Sequence, residues 1–571
     1  MPRHMKISME RSFRTAQMTV KREKGAPAEK ASLRGSTKRA WGSRGCLWGA
    51  ALVVLGAALL FSHLRASPKS PDEQAYLAWA LSFALEGKIA EPDGRSVSKS
   101  VPPLHTLMVG VAFKSLGVEA EVAQFVSVLG GALTVGVCFL IGYLLLGVRG
   151  GFLVALLLMT SGKGEIWEYS NRVLNDIFLV LWVSCILLSS MAYVRWGSHW
   201  FALAMGLFLG LGFVTKESTL LAFPVFVAAF FVGEKPKSKR LVHLLLAVGL
   251  AGLIMAPLIL HRYNAIKLRG QEEAPRYSLR AGNLGTLLDS GKWGFRGLEE
   301  LAENILLRGM PSGPFRVIYG VSLLACPVLI WRRRAPKELM LPILLILIWI
   351  GVFQVFVHLP LTRRQLLPLF PAYNILAAFV LMSSWLFLRS RFLAGRIHPK
   401  IVGLAGWAGI LSLVLMNMPP QAWSKVTLGE LFKNPEPGFL EKEAKQALAC
   451  APDAALIASN FDRTLYFVLK GKLPVLHMQA PRGQESRKPS HPKQGKKQRR
   501  LEAAEKAPEG NRAFVLPKPY AELPSPIYSI IFSPRGLDLH GSFTPMEELW
   551  EVICREEGFV VSRWRRGSQP G

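Results

Sequence analysis

Charged residues nearly vanish from this chain for about 20 residues at a time, again and again, which is the length one helix needs to cross a bilayer. No other feature limits the fold so strongly. In hydrocarbon every backbone N–H and C=O must find its partner inside the segment, so repeated runs of this kind make a bundle of spanning helices. The runs are 47–64, 121–146, 176–194, 217–233, 241–260, 313–331, 338–358, 365–388 and 401–418. Two shorter runs, 150–161 and 199–214, fit as helices packed among neighbours. The expectation is a mainly α, polytopic bundle of about eleven spans.

Half the residues are hydrophobic, yet the net charge is +30, so apolar and basic residues must be segregated. Alternating from a cytoplasmic N-terminus, the inside connections become 147–150, 195–198, 234–240, 332–337 and 389–400. Each carries Lys or Arg, as in Lys235, Lys237, Lys239 and Arg240 or Arg332, Arg333, Arg334 and Lys337. One missed helix would invert every later loop, so this agreement tests the span assignment. The outward segments are then 65–120, 162–175, 262–312, 359–364 and everything from about 419. The first apolar run starts too far from Met1 for a cleaved signal and reads as an uncleaved anchor. The reading is an integral protein of a bacterial inner membrane, with an extracytoplasmic C-terminal domain. Nucleic acid is not an expected partner, because no aromatic-basic binding module accompanies the charge.

Three regions are expected: a disordered basic tail over 1–46, a membrane domain over 47–418 and an outer domain over 419–571. The last reads as a small α/β unit with short apolar segments at 455–458, 466–469, 528–532 and 559–561 and a helix at 546–554. Residues 481–512, dense in Lys, Arg, Gln, Pro and Glu, read as a disordered insertion. Residues 102–117, interrupted by His105 and Lys114, read as an amphipathic segment on the outer surface rather than a span. Cys450 and Cys554 both fall in the outward region and are candidates to pair.

The chemistry-bearing candidates gather on the outward side. Asp72 and Glu73 follow Ser70-Pro71, a pattern that opens a helix with acids in its first turn and needs no further reason. A carboxylate held there can equally deprotonate a nucleophile at the bilayer surface. Asp176 closes the loop 162–175 and reads as a helix N-cap, but Glu165, Glu168 and Arg172 share its loop. Lys99, Lys216, Arg363 and Arg364 lie at outer ends of spans or loops. Each alone reads as a snorkelling surface residue, and together they form a cationic rim suited to a phosphate leaving group.

At this point the chain resembles the integral-membrane glycosyltransferases that use polyprenyl-phosphate sugars, the group of protein O-mannosyltransferases and lipid A aminoarabinose transferases, which have the GT-C fold. The resemblance covers roughly 47–390. It rests on Asp72-Glu73-Gln74-Ala75-Tyr76, Pro102-Pro103-Leu104, Phe113-Lys114-Ser115-Leu116-Gly117 and Asn175-Asp176-Ile177-Phe178-Leu179. It continues in Gly210-Leu211-Gly212-Phe213-Val214-Thr215-Lys216-Glu217 and Arg364-Gln365-Leu366-Leu367-Pro368-Leu369-Phe370-Pro371. The chain departs from the family at Val101 (often Lys), Gln365 (commonly Tyr) and Glu217-Ser218 (commonly Gly-Pro).

The resemblance implies transfer of a sugar from a polyprenyl-phosphate donor to a lipid, polysaccharide or protein acceptor on the extracytoplasmic face, with inversion. Asp72 would orient or deprotonate the acceptor with Glu73 in support, and Asp176 would position a substrate. Tyr76 would line the donor cavity, and Lys216, Arg364 and Lys99 would hold the lipid phosphate, with Arg172 and Arg363 on the same rim. No cofactor is required by the sequence. With no Asp-x-Asp in the first outer loop a divalent metal is not indicated, although His105 and His261 fall near that face. The rival is a transporter or flippase, which would place ionisable groups near mid-membrane; here the span interiors at 121–146, 241–260, 338–358 and 401–418 carry none.

Overall fold

A computed structural model gives the fold. It describes residues 44–62, 71–90, 103–160, 165–233, 236–269, 316–332, 335–352 and 363–388 and, beyond these, chiefly 445–459, 475–477, 527–532, 550–556 and 559–564. The expected tail, most of the 262–312 loop, most of the span 401–418 and the insertion 481–512 lie outside the described residues.

Helix α1 (Arg44–Ser62) packs along α4 (Ala120–Thr160). Between them in sequence come α2 (Pro71–Glu86) and α3 (Leu104–Leu116), which pack against each other. Pro71 occupies the first position of α2, where its missing N–H costs nothing. As expected, the runs 121–146 and 150–161 are two helices, the two legs of α4, which turn at Gly147, whose φ of 76° glycine adopts freely; a Cβ on Gly142 would sit 2.5 Å from the Gly150 carbonyl oxygen, so the legs fold back against each other.

Then follow α5 (Glu165–Ser170), α6 (Asp176–Trp196) and α7 (His199–Thr215). A 3-10 turn over Glu217–Ala222 leads into α8 (Phe223–Val232), so the expected run 217–233 is not one continuous α-helix. Helix α9 (Lys237–Arg269) packs along α7, where a Cβ on Gly206 would sit 2.2 Å from the Ala247 carbonyl oxygen. Such close approach is how small residues join helices in lipid, where no hydrophobic force draws them together. Helices α10 (Arg316–Trp331), α11 (Met340–Val352), α12 (Arg363–Leu366) and α13 (Phe370–Leu388) complete the bundle.

Four stretches among the described residues are long and apolar enough to cross a membrane: Ala120–Thr160, Asp176–Trp196, Ser238–His261 and Arg364–Leu388. Asp176–Trp196 is nearly all buried inside the bundle, while Ser238–His261 turns most of its surface, including Leu245 and Leu253, outward. Helix α6 is the central post, and α9 is a peripheral one facing lipid.

The C-terminal strands β1 (Leu456–Ser459), β2 (Val475–His477), β3 (Ile527–Phe532), β4 (Trp550–Glu556) and β5 (Phe559–Trp564) form one mixed sheet in the order β2-β1-β3-β5-β4. β1 runs parallel to β2 and β3, whereas β5 is antiparallel to β3 and β4, with Val561 opposite Ile530. Of the helix expected at 546–554, residues 546–549 lie outside the described residues, and 550–554 belong instead to strand β4. Its Trp-Glu-Val-Ile-Cys-Arg-Glu sequence has the β-branched and aromatic content that favours pairing with β5, and a bulge between Val552 and Cys554 absorbs the break in its alternation. Ala447, Ala451 and Val561 share an apolar cluster with Tyr76, Trp79, Phe113 and Phe178, so the C-terminal region rests on α2, α3 and the start of α6. Cys450 is disulfide-bonded; the side chain of Cys554 lies outside the described residues.

Candidate active site

Four ionised side chains from four separate elements meet at one end of the bundle. Asp72 stands in the first turn of α2, Asp176 is the first residue of α6, Lys216 follows the last residue of α7, and Arg364 lies in α12. Arg364 is the bridge. Its Nε donates to Asp176 Oδ2 at 2.5 Å, and its Nη1 donates to Asp72 Oδ2 at 2.6 Å. Lys216 Nζ donates to the other oxygen of Asp176.

The two carboxylates differ in burial. Asp176 is 1% exposed and has a cation on each oxygen, whereas Asp72 is 58% exposed. A buried carboxylate persists only when paired, and Asp176 meets that condition. Asp72 keeps an open face toward solvent. The four charges sum to zero, yet both cations are about one-third exposed and retain N–H groups not committed to carboxylates. The site can therefore take an anion on Arg364 and Lys216 without stripping Asp176 bare.

Local sequence explains each placement. Asp176 is not itself the N-cap as expected: Asn175 is, in a helical conformation and without a side-chain cap bond. Asn175 turns its amide to the Thr215 carbonyl at 3.1 Å, tying the start of α6 to the end of α7. Arg364 sits just before Leu367–Leu369, where Pro368 forces a 3-10 turn. Trp349 of α11, fully buried, donates its indole N–H to the Gln365 carbonyl at 2.8 Å and holds that irregular backbone in place.

Aromatic rings form the floor beside the ions. Tyr76 lies one turn after Asp72, edge-on to Trp79 at 5.5 Å and to His105 at 5.2 Å. Burial pushes the Tyr76 phenol well above its usual range, and the Asp176 and Asp72 carboxylates add to that. Its hydroxyl stays a neutral hydrogen-bonding group at the edge of the cluster. His105 is wholly buried between Tyr76 and Phe178, and burial lowers its imidazole to about 4 despite the opposing pull of Asp176. Tyr169 of α5 is raised by burial and then by Asp176, so it too borders the cluster.

Glu73 is buried in the first turn of α2. Arg172 pairs with Glu168 and lies 5.6 Å from the Tyr169 ring centre, engaged within its own loop. Arg363 begins α12, with its side chain outside the described residues, and Lys99 lies outside them altogether. His261 is exposed near the end of α9 and His105 is sealed in the aromatic floor; among the described residues no group of three or more His, Cys, Asp or Glu is placed to hold a metal. Trp349 and Asn175 serve the site through backbone contacts distant in sequence, which no local signal in the chain marks.

Comparison with known proteins now bears on this geometry. Residues 100–261 match the family model described as dolichyl-phosphate-mannose-protein mannosyltransferase. ArnT from Cupriavidus metallidurans bound to undecaprenyl phosphate superposes with a TM-score of 0.56 at 16% identity, covering 93% of this chain and 100% of that one. The chain has the GT-C fold. ArnT in the apo state gives a TM-score of 0.57 at 17% identity, covering 91% and 98%. The oligosaccharyltransferase AglB from Archaeoglobus fulgidus aligns with a TM-score of 0.46 at 13% identity, over 76% of this chain and 65% of that one. No curated protein sequence matches the chain. The resemblance to polyprenyl-phosphate-dependent membrane glycosyltransferases thus holds at the level of fold and of the matched segment. That segment contains Asp176 and Lys216; in this GT-C bundle α2 and α12 bring Asp72 and Arg364 to them from outside it.

Proposed function

We propose that this protein transfers a sugar from a polyprenyl-phosphate donor to a hydroxyl or amine of a lipid, polysaccharide or protein acceptor, at the extracytoplasmic face of the membrane. The observation that carries this reading is the Asp72–Arg364–Asp176–Lys216 chain, with one carboxylate open and the other sealed between two cations. Asp72 takes the proton of the acceptor as its oxygen or nitrogen attacks the anomeric carbon. The bond from that carbon to the phosphate oxygen breaks, and the polyprenyl phosphate leaves with its charge held by Arg364 and Lys216. Attack opposite the leaving group inverts the anomeric centre.

The outward orientation has two supports. Basic connections alternate with the spans as the positive-inside rule requires. Cys450, in the same C-terminal region as the sheet, is disulfide-bonded, which suits an oxidising compartment. A bacterial inner membrane with a cytoplasmic N-terminus satisfies both.

The test uses membranes containing the full chain and a panel of radiolabelled polyprenyl-phosphate sugars. Asp72→Asn should lower transfer by roughly 100-fold or more, the usual weight of a general base. Transfer at the wild-type rate would remove Asp72 from that role.

A further inference from the structure

Lys216 lies just past the end of α7, in extended backbone with φ −162° and ψ 124°; its own helix holds its N–H, which donates to the Gly212 carbonyl at 2.7 Å, but leaves the direction of its side chain open. A lysine carries a long flexible stem, so directing its ammonium to one buried carboxylate requires a fixed backbone. A further restraint lies one residue earlier. Thr215 is 1% exposed, and α6 grips it twice: Asn175 donates to its carbonyl at 3.1 Å, and the Trp182 indole N–H donates to its hydroxyl at 2.8 Å. Asn175 and Trp182 are two helical turns apart on α6 and so face the same way. The Thr215 hydroxyl in turn donates to the Leu211 carbonyl at 2.8 Å. On the other side, the Thr219 hydroxyl and N–H both donate to the Lys216 carbonyl, at 2.8 and 3.0 Å. Gly212 makes room for this, since a Cβ there would meet Thr219 Cγ2 at 2.4 Å.

We infer that Thr215 is a positioning residue: clamped by Asn175 and Trp182, it fixes the distance and direction from which Lys216 reaches Asp176 and, on the reading above, the donor phosphate. A hydroxyl is required at this position because valine, of the same shape, offers Trp182 nothing to donate to. Trp182 reaches the ions through Thr215, and its ring stacks on Phe208 of α7 with centroids 6.1 Å apart.

The test reads the position of Lys216 directly, in the full-length protein in detergent, as its rate of acylation by an amine-reactive reagent followed by mass spectrometry. Thr215→Val and Trp182→Phe should each raise the rate at Lys216 about fivefold, the weight of one lost hydrogen bond, and leave Lys114 unchanged. Unchanged reactivity at Lys216 in both variants overturns the inference, and so does an equal rise at every lysine, which would report general loosening. Trp182→Phe keeps the Thr215–Leu211 bond, so it serves if Thr215→Val fails to fold. Binding of undecaprenyl phosphate to wild type and Lys216→Ala is measured beside it. Equal affinity there would remove the phosphate-holding role of Lys216 while the labelling result still decides whether Thr215 positions it.

Discussion

Helices α2 and α6 both begin at the same end of the bundle with an aspartate in the first turn, and there the likeness stops. The α2 start borders solvent: Asp72 has one cation and an open face. The α6 start lies in the middle of the bundle: Asp176 has a cation on each oxygen and is sealed. A carboxylate that must exchange a proton has to remain accessible, whereas one that organises cations is best held where water cannot compete. On the proposed function, the same residue type at the same helical position serves two purposes, divided by depth.

The sharpest way to break this contrast is at the residue joining the two starts. Arg364 reaches Asp176 through Nε and Asp72 through Nη1, a fork that an ammonium cannot reproduce. Arg364→Lys keeps the charge and should still lose about tenfold or more in sugar transfer, with Arg364→Ala lower again. If the lysine variant transferred sugar as well as wild type, the fork would be irrelevant and charge alone would suffice.

The next comparison sets Asp176→Asn against Asp72→Asn. The buried position should lose about 3 kcal/mol of stability, because Lys216 and Arg364 are left facing a neutral amide. The exposed position should change stability by less than about 0.5 kcal/mol, as surface pairs do, while transfer collapses. Thermal unfolding in detergent beside a transfer assay separates the two; equal destabilisation by both variants would erase the distinction.

A smaller effect belongs to the aromatic floor beneath both starts. His105 is wholly buried and its imidazole is lowered to about 4, below the ordinary value of about 6.5. With a lowered folded value, the native protein resists protonation that the unfolded chain accepts. Stability is therefore complete above about pH 6.5, falls as pH drops toward 4, and levels off below, by up to about 3 kcal/mol for this group. The groups facing it are Tyr76 from α2, Phe178 from α6 and the Asp176 charge. His105→Phe keeps a ring in place and should flatten that part of the stability profile. An unaltered slope would mean other groups produce it.

The bundle was legible in the sequence because hydrophobic length and basic connections are strong, local signals. The break at Gly147 falls between two of the runs, where the sequence puts it. What the runs could not convey is the break inside 217–233, which opens with a 3-10 turn tied back to Lys216 by Thr219. Met546-Glu547-Glu548-Leu549 favours a helix in the sequence, whereas pairing with β5 makes Trp550–Glu556 a strand. At the site, the charged residues announced themselves by standing at the ends of apolar runs. Which of them meet was hidden, since Asp72 and Arg364 are 292 positions apart and only tertiary packing joins them. The contacts of Asn175, Trp182 and Trp349 are hidden for a different reason: Asn175 reads as a loop residue beside Asp176 and the two tryptophans as ordinary span residues, and their work is done through a carbonyl or a hydroxyl distant in sequence.

The smallest expected effect sharpens the contrast from outside it. Arg172 shares the loop that leads to Asp176, carries the same charge as Arg364 and borders the same Tyr169 ring, so charge and neighbourhood alone would enlist it in the site. Its guanidinium is instead spent on Glu168, one helical turn away and about half exposed, in a pair of the kind that contributes a few tenths of a kcal/mol. Arg172→Ala should shift stability by no more than about 0.5 kcal/mol and leave transfer within about twofold of wild type. Transfer falling tenfold in that variant would show that Arg172 abandons Glu168 for the donor, and the cationic part of the site would then extend along the loop rather than end at Lys216 and Arg364.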